Sequence, residues 1–202
     1  MDAGPDTEAP HRRRTGQTWM DVALSVSAVT ISLISLLLGI GNGDAMKQLV
    51  AANSWPFVSI GISNRDEQRG PVLRIVAQNK GIGPAKIEAL EVFYKGHAAP
   101  NARALIHAML GPQADGVREP YQGATFVGDV LSSKEIVTVL SIQDESVGAA
   151  NLGKLAAEAQ NIGFRVCYCS VFNECWISDR TSGLAPPRPQ KTCRPPTTPF
   201  TL

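Results

Sequence analysis

The sequence predicts an N-terminal transmembrane helix followed by a mainly β domain, a sandwich of two sheets with one or two short helices. Residues 22–40 form an uncharged, mostly apolar run that no other stretch of the chain resembles. After residue 55, short apolar segments alternate with turns rich in glycine and proline. All four cysteines lie near the C-terminal end. These observations predict a membrane anchor, one β core and a disulfide-clipped end.

The apolar run has the length of a membrane span. At about 1.5 Å per residue, its nineteen residues make a helix of roughly 28 Å, close to the thickness of a bilayer's hydrocarbon core. We expect the helix to continue as a stem until Pro56, because proline cannot extend a helix. The predicted segments are a tail at 1–20, the transmembrane helix at 21–41, the stem at 42–55, the β-sandwich domain at 56–182 and a proline-rich tail at 183–202.

The distribution of basic residues predicts the topology. Three consecutive arginines, Arg12 to Arg14, precede the helix, whereas Lys47 is the only basic residue between it and Arg65. The side richer in Lys and Arg usually stays in the cytoplasm. We therefore expect a single-pass protein of the inner (cytoplasmic) membrane, with a cytoplasmic N-terminus and a periplasmic C-terminal domain. A cleaved signal peptide is the alternative, although its apolar region is usually only about 7–15 residues long.

Small residues recur along one side of the predicted helix at alternating spacings of three and four. Such a stripe lets two helix backbones approach closely, and serine can hydrogen-bond across the interface. The same heptad phase reaches Met46 and Leu49 in the stem. We expect the helix to contact the lipid bilayer and to pair with a protein partner or with itself; the alternative is that small residues are merely tolerated in an anchor. The stripe consists of Ser25, Ala28, Ser32, Ser35 and Gly39.

Alternating apolar residues predict strands at about 57–62, 73–77, 85–94, 136–142 and 164–168. A short helix is expected after Asn101, a good N-cap residue, with Gly111-Pro112 ending it. A second apolar stripe at 152–159 predicts another short helix. Several short strands with turns between them are typical of a two-sheet antiparallel sandwich, immunoglobulin-like in outline, with the helices as insertions.

The cysteine spacing predicts two disulfides. If Phe172 is the centre of a hairpin turn, Cys169 lies directly opposite Cys175, within disulfide range. Cys167 then remains free to bond to Cys193 and fasten the proline-rich tail. Four cysteines allow three connectivities, so this pairing depends on the hairpin register alone. A zinc site and free thiols in a cytosolic domain remain alternatives, although the spacing lacks the usual pair of zinc knuckles.

No catalytic set, cofactor site or metal site emerges from the sequence. The Gly81-Ile82-Gly83 turn lacks the remaining residues of a dinucleotide or P-loop motif, and we expect its glycines to adopt positive φ. Of the three histidines (His11, His97, His107), His97 and His107 are expected to be solvated surface groups, and the acidic pairs Asp66-Glu67 and Asp144-Glu145 are expected to be turn residues. With 19 basic and 18 acidic residues, the chain is not suited to bind nucleic acid through a basic surface.

Two motifs carry a resemblance. Residues 79–87 read Asn-Lys-Gly-Ile-Gly-Pro-Ala-Lys-Ile and follow Trp55-Pro56 and an apolar strand; Cys167-Tyr168-Cys169-Ser170 precedes Cys175-Trp176. This combination resembles uncharacterised bacterial single-pass membrane proteins with an immunoglobulin-like β domain, over about residues 20–180. The resemblance implies the architecture and transfers no catalytic residue.

The expected function is therefore non-catalytic: a membrane-anchored interaction or accessory module of the bacterial envelope. One alternative is a ligand-sensing domain that signals through the transmembrane helix to a partner. Another is a membrane-tethered cytosolic effector, which would invert the topology. A hydrolase assembled from scattered residues is the least favoured alternative.

Overall fold

The computed structural model describes residues 18–66, 70–111, 121–183 and 185–202. The arginines that precede the helix and Glu67 lie outside these ranges, so the expectations placed on them stay predictions. The chain divides into two compact units, residues 1–49 and 50–202. All of the described strands belong to the second unit.

The first unit is occupied by helix α1, Thr18–Ala52, which runs on into the start of the second. None of its described residues between 18 and 50 is buried, and its apolar side chains are exposed all round. It is the one helix in the described part of the chain that is long and apolar enough to cross a membrane, and it lies near the N-terminus. The helix therefore fits a single-pass membrane protein, and helical structure extends through most of the predicted stem.

The second unit is mainly β. Its strands are β1 Val58–Asp66, β2 Gly70–Asn79, β3 Ala85–Tyr94, β4 His97–Ala99, β5 Gln122–Gly123, β6 Val130–Leu131, β7 Ile136–Gln143, β8 Ile162–Cys169, β9 Cys175–Asp179 and β10 Arg188–Gln190. Its short helices are α2 Ala102–Leu110, α3 Asp144–Val147 and α4 Ala149–Glu158, and a 3₁₀ turn follows at Ala159–Asn161. The predicted strands and both predicted helices are present.

The strands form two sheets. The four-stranded sheet has the order β1-β2-β7-β5, and the six-stranded sheet has the order β10-β9-β8-β3-β4, with β6 also pairing with β3. Every pairing between these strands is antiparallel. Antiparallel sheets commonly bury one face and expose the other to water. Apolar residues therefore alternate with polar residues along the strands.

Side chains of both sheets share one hydrophobic core. Ile60 and Ile75 contribute from the four-stranded sheet, and Ile87 and Tyr168 from the six-stranded sheet; each is at most 1% exposed. Helix α2 adds Leu105 to the same core. The side chain of Asn101 caps this helix by accepting a hydrogen bond from the backbone N–H of Ala104 at 2.8 Å, as the sequence predicts.

The chain enters the β domain through residues 54–57, here called the N-terminal junction, which is held by the side chain of Asn79. Its Oδ1 accepts from the backbone N–H groups of Phe57 and Gly81, at 3.2 and 3.0 Å. Its Nδ2 donates to the carbonyl oxygens of Gly83, Leu131 and Ser132 at 2.8–3.2 Å. This fully buried amide therefore connects three separate segments.

The expectation that Gly81 and Gly83 adopt positive φ is wrong, because neither is among the residues with positive φ. Both glycines are instead required by close backbone approach. A Cβ at Gly81 would overlap the backbone of Trp55 and Phe57, and one at Gly83 would overlap the carbonyl oxygen of Ser54. The motif therefore packs against the N-terminal junction, and this contact needs glycines because they have no side chain to occupy the space.

The C-terminal residues 185–202, here called the C-terminal strap, are built into the domain. Strand β10 pairs with β9, and Cys193 is bonded to Cys167 of β8. Farther along, Phe200 is buried in the core and its N–H donates to the carbonyl oxygen of Leu90 at 3.0 Å. The strap thus has a strand, a covalent bond and an apolar anchor holding it to the domain.

Candidate functional site

A groove runs beside β1, the strand at one edge of the four-stranded sheet. Its volume is about 630 Å³, and its walls come from the middle of β1, the β3–β4 turn, the start of β8 and the segment after β9. We call it the β1 groove. Glycines and short polar side chains supply much of its lining, including Gly61, Gly96, Gly163 and Thr181. A groove next to a strand edge is suited to bind an extended segment.

Arg180 covers part of this strand edge. Its Nη1 donates to the carbonyl oxygen of Ile60 at 2.6 Å and lies 3.4 Å from the hydroxyl oxygen of Ser59. Its own N–H donates to the carbonyl oxygen of Phe164 at 2.7 Å, which fixes the segment after β9 against β8. Exposed edges pair readily with other strands, and a charged side chain on the edge is a common protection.

A carboxylate network fixes the far wall of the groove. Oε2 of Glu158 accepts hydrogen bonds from the Tyr94 hydroxyl at 2.7 Å and the Asn161 amide at 2.9 Å, and lies 3.0 Å from Nζ of Lys95. The hydrogen bond from Tyr94, followed by those from Lys95 and Asn161, lowers the pKa of Glu158 to about 2. Glu158 therefore stays ionised at neutral pH and holds the wall in place without moving a proton.

The β3–β4 turn that carries Lys95 has a tight geometry. Lys95 and Gly96 both have positive φ, 48° and 81°, and Tyr94 pairs directly with His97. This is the backbone of a two-residue hairpin turn with left-handed residues at both central positions. His97 lies exposed beyond it, as the sequence predicts.

A second, smaller cleft of about 440 Å³ lies between the six-stranded sheet and the C-terminal strap. Arg165 is at its base: Nε donates to Asp179 at 3.0 Å and Nη1 to Glu91 at 3.3 Å. Burial of Asp179 raises its pKa, but hydrogen bonds from Thr181 and Arg165 outweigh it and leave the pKa of Asp179 below its usual value. Because its charges are largely paired within the cleft, this region braces the strap.

Two disulfides lie next to this cleft, with the connectivity that the hairpin register gives: Cys167–Cys193 and Cys169–Cys175. The β8–β9 register places Cys169 opposite Cys175 and Tyr168 opposite Trp176. The sulfurs of Cys169 and Cys193, from different disulfides, are only 3.8 Å apart. Three of the sulfurs are near enough together to hold a metal ion, but as disulfides they carry no thiolate for it.

The predicted helix stripe is exposed along α1. The hydroxyl of Ser25 donates to the carbonyl oxygen of Asp21, and that of Ser32 to Ala28, each at 2.8 Å. Gly39 has open space where a Cβ would lie. Two of the three serine hydroxyls of the stripe therefore turn back to their own helix. Its pairing stays a prediction.

The remaining candidates stay apart from the groove. His107 is exposed on α2, as the sequence predicts. The expectation that Asp144 and Glu145 lie in a turn between elements is wrong, because they open the short helix α3, where the carboxylate of Asp144 accepts from the N–H of Glu145 at 2.9 Å. Sequence analysis missed both Arg180 and Glu158. Neither lies in a motif, and their partners are distant in sequence, so no local signal marks them.

Within the residues described, the structure has one candidate membrane helix, followed by a mainly β domain with two disulfides. No protein family, curated protein or solved structure matches the chain. A functional assignment therefore depends on the residues and their geometry.

Proposed function

We propose that the protein is a non-catalytic interaction module of the bacterial envelope, anchored in the inner membrane by α1 with its β domain in the periplasm. The module binds an extended segment of a partner protein beside β1. The observation that carries this proposal is the combination of an end strand with the β1 groove along it. Strand addition at such an edge supplies main-chain hydrogen bonds, and the groove supplies selectivity.

The edge offers a segment free of charged side chains to a partner. Ile60 directs its carbonyl oxygen towards Arg180, away from β2, so Ile62 presents its backbone groups on the same side. Between them lies Gly61, where a Cβ would meet nothing within 4 Å. A partner strand therefore has room to approach at Gly61. It would either displace the side chain of Arg180 or form its own hydrogen bonds next to it.

The compartment is proposed from two independent arguments. Arg12 to Arg14 favour a cytoplasmic N-terminus. The two disulfides favour an oxidising compartment for the domain. Both are met if the domain is periplasmic, whereas a tethered cytosolic effector would satisfy neither.

We further propose that the two sheets form an immunoglobulin-like sandwich, as in the bacterial single-pass proteins that the chain resembles. The shared core and the antiparallel pairings support this proposal. In the same proposal, the stripe from Ser25 to Gly39 brings the helix against a second copy or a partner helix.

A photo-crosslinking amino acid at position 61, introduced into the full chain in cells, tests the binding proposal. We expect one dominant adduct with a protein from position 61. The matched control is the same residue at Gly153, which is exposed and, like Gly61, has open space where a Cβ would lie, but belongs to α4. The adduct should shrink severalfold when the β1 edge is blocked by a proline at Ile62, which removes an outward N–H.

Equal adducts at positions 61 and 153, or none at 61, would overturn the binding proposal. The ligand-sensing alternative has its own support, since a cavity of about 630 Å³ is in the range of small-molecule sites. The ligand-sensing alternative predicts that a small molecule stays bound in the groove during purification. It would shield the photo-crosslinking amino acid at position 61, so that no protein adduct forms there.

A further inference from the structure

One end of the β domain carries a concentration of exposed apolar side chains. The pairings place the start of β1 beside the end of β2, and the end of β2 beside the start of β7. In the other sheet, the start of β3 pairs with β6 and with the end of β8, which meets the start of β9. The Asn79 side chain connects the two sheets here. All these strand ends therefore lie together.

Beyond Ser54, the structure describes eight large apolar residues with exposed side chains, and six of them belong to this end. The other two are Val127 and Leu202. Ile82, on the tip of the Gly81–Gly83 turn, is the most exposed at 74%. We call the six residues the apolar rim: Trp55, Ile82, Val130, Ile136, Val171 and Phe172.

The rim residues are gathered on one end of the domain rather than scattered over it. The N–H of Ile82 donates to the carbonyl oxygen of Trp55 at 3.0 Å, and the ring of Trp55 packs edge-on to that of Trp176 at 6.4 Å. On the other side, Lys86 pairs with Val130 and its Nζ donates to the side chain of Asn173 at 2.8 Å, next to Phe172. Isolated exposed apolar residues need no explanation, but six gathered on one end do.

We propose that the apolar rim is a lipid-binding surface that inserts into the interfacial layer of the bilayer that α1 spans. The chain enters the β domain at this same end, through residues 54–57. Fourteen residues separate the apolar run from Trp55, a tether of about 21 Å if wholly helical. A short tether keeps the rim at high effective concentration near the membrane, so that weak binding suffices.

The composition of the rim identifies the mode of binding. Tryptophan is enriched at the membrane–water interface, where its apolar body and its polar edge are both satisfied, and phenylalanine and aliphatic side chains form the apolar face of segments that lie in this layer. The charged residues described around the rim balance: Lys80, Lys86 and Lys134 against Asp129, Glu135 and Glu174. A balanced rim gains little from anionic headgroups, so insertion of apolar groups drives the contact and zwitterionic lipid is sufficient.

Tryptophan quenching in nanodiscs tests the proposal on the full chain. The discs contain phosphatidylcholine brominated near the top of its acyl chains, and the background variant W19F removes the tryptophan of the helix. In this background we compare I82W, on the rim, with H97W, on the exposed β3–β4 turn at the opposite end of β3. We expect brominated lipid to reduce the added fluorescence of I82W at least twofold and to leave that of H97W unchanged.

Three outcomes would overturn the proposal. Equal quenching of I82W and H97W would mean that no particular end faces lipid. No quenching of I82W would mean that the rim does not enter the lipid. Quenching that appears only with anionic lipid, or that disappears in 0.5 M salt, would mean that charge attraction and not apolar insertion is responsible. As a positive control, F172S should lower the quenching of I82W in phosphatidylcholine.

Discussion

The N-terminal junction and the C-terminal strap are both irregular segments fastened to the same β domain, but by different physical means. The junction is held by backbone contact and by one buried amide, Asn79. The strap is held by the Cys167–Cys193 disulfide, a short edge strand and the Phe200 anchor. The junction should therefore be insensitive to reductant and acid, whereas the strap should respond to both.

The difference arises from the surroundings. Around Asn79, hydrogen-bond partners from three segments are buried together, so the amide satisfies groups that water cannot reach. The strap runs over an exposed surface, where individual hydrogen bonds add little against the entropy of a proline-rich chain. A covalent bond and a buried aromatic ring are effective there because each holds the strap without depending on exposed hydrogen bonds.

The largest expected effect is at the junction. Asn79→Ala should destabilise the domain by about 3–5 kcal/mol, because it leaves several buried N–H and C=O groups without partners. Urea unfolding of the full chain in detergent, followed by tryptophan fluorescence, measures this loss. The matched control is Ser133→Ala, which removes a single half-buried hydrogen bond to Gly81 and should cost about 1 kcal/mol. Equal losses for the two variants would contradict the central role of Asn79.

Removing the long-range disulfide comes second. The double variant Cys167→Ser, Cys193→Ser opens a loop with a sequence separation of 26 and should lose about 3–4 kcal/mol. Limited trypsin digestion should then cut the strap after Lys191, its one Lys or Arg that is not followed by proline, at least tenfold faster. Removing Cys169–Cys175, with a separation of only 6, should cost about 2 kcal/mol and leave the strap protected. Equal rates of trypsin cleavage in the two double variants would contradict the expectation that the Cys167–Cys193 disulfide, and not Cys169–Cys175, protects the strap.

The smallest expected effect is the response of the strap to acid. Because the pKa of Asp179 is lowered in the folded protein, its stabilising contribution is fully present above the ordinary value of 3.8 and is lost as pH falls through the folded value. Asp179→Asn should therefore cost about 1 kcal/mol at pH 7, by weakening its bonds to Arg165 and Arg188. The free energy of unfolding of both proteins, measured from pH 7 to pH 2, should show that the difference between them closes below pH 3.8. A difference that widens towards pH 2 would mean that the ionised Asp179 does not stabilise the folded protein.

Much of the fold could be predicted from the sequence, because the relevant signals are local. Period-two alternation located β1, β2, β3, β7 and β8, and Asn101 with Gly111 marked the ends of α2. The register of the β8–β9 hairpin was predictable for the same reason, since one choice of turn centre fixes every pair in it.

The β1 groove and its polar groups could not be predicted in this way. Arg180 meets Ile60 across 120 positions of sequence, and Tyr94 meets Glu158 across 64. The identity of such partners depends on sheet order, and a strand's pattern of alternation is the same whichever strand lies beside it. The glycine motif shows a related limit: its composition indicates a turn, but only the packed junction shows that absent side-chain volume, not positive φ, is what it supplies.

Residue spacing along the chain was enough to define the apolar span, the order of strands and short helices, and the cysteine pairing within one hairpin. Each of these features involves residues that are near neighbours in sequence. Three others became visible in the folded domain alone: Asn79 joins three segments, Phe200 returns to the core, and exposed apolar residues gather on one end. They depend on which distant segments meet, and that is set by the packing of the whole core rather than by any local periodicity.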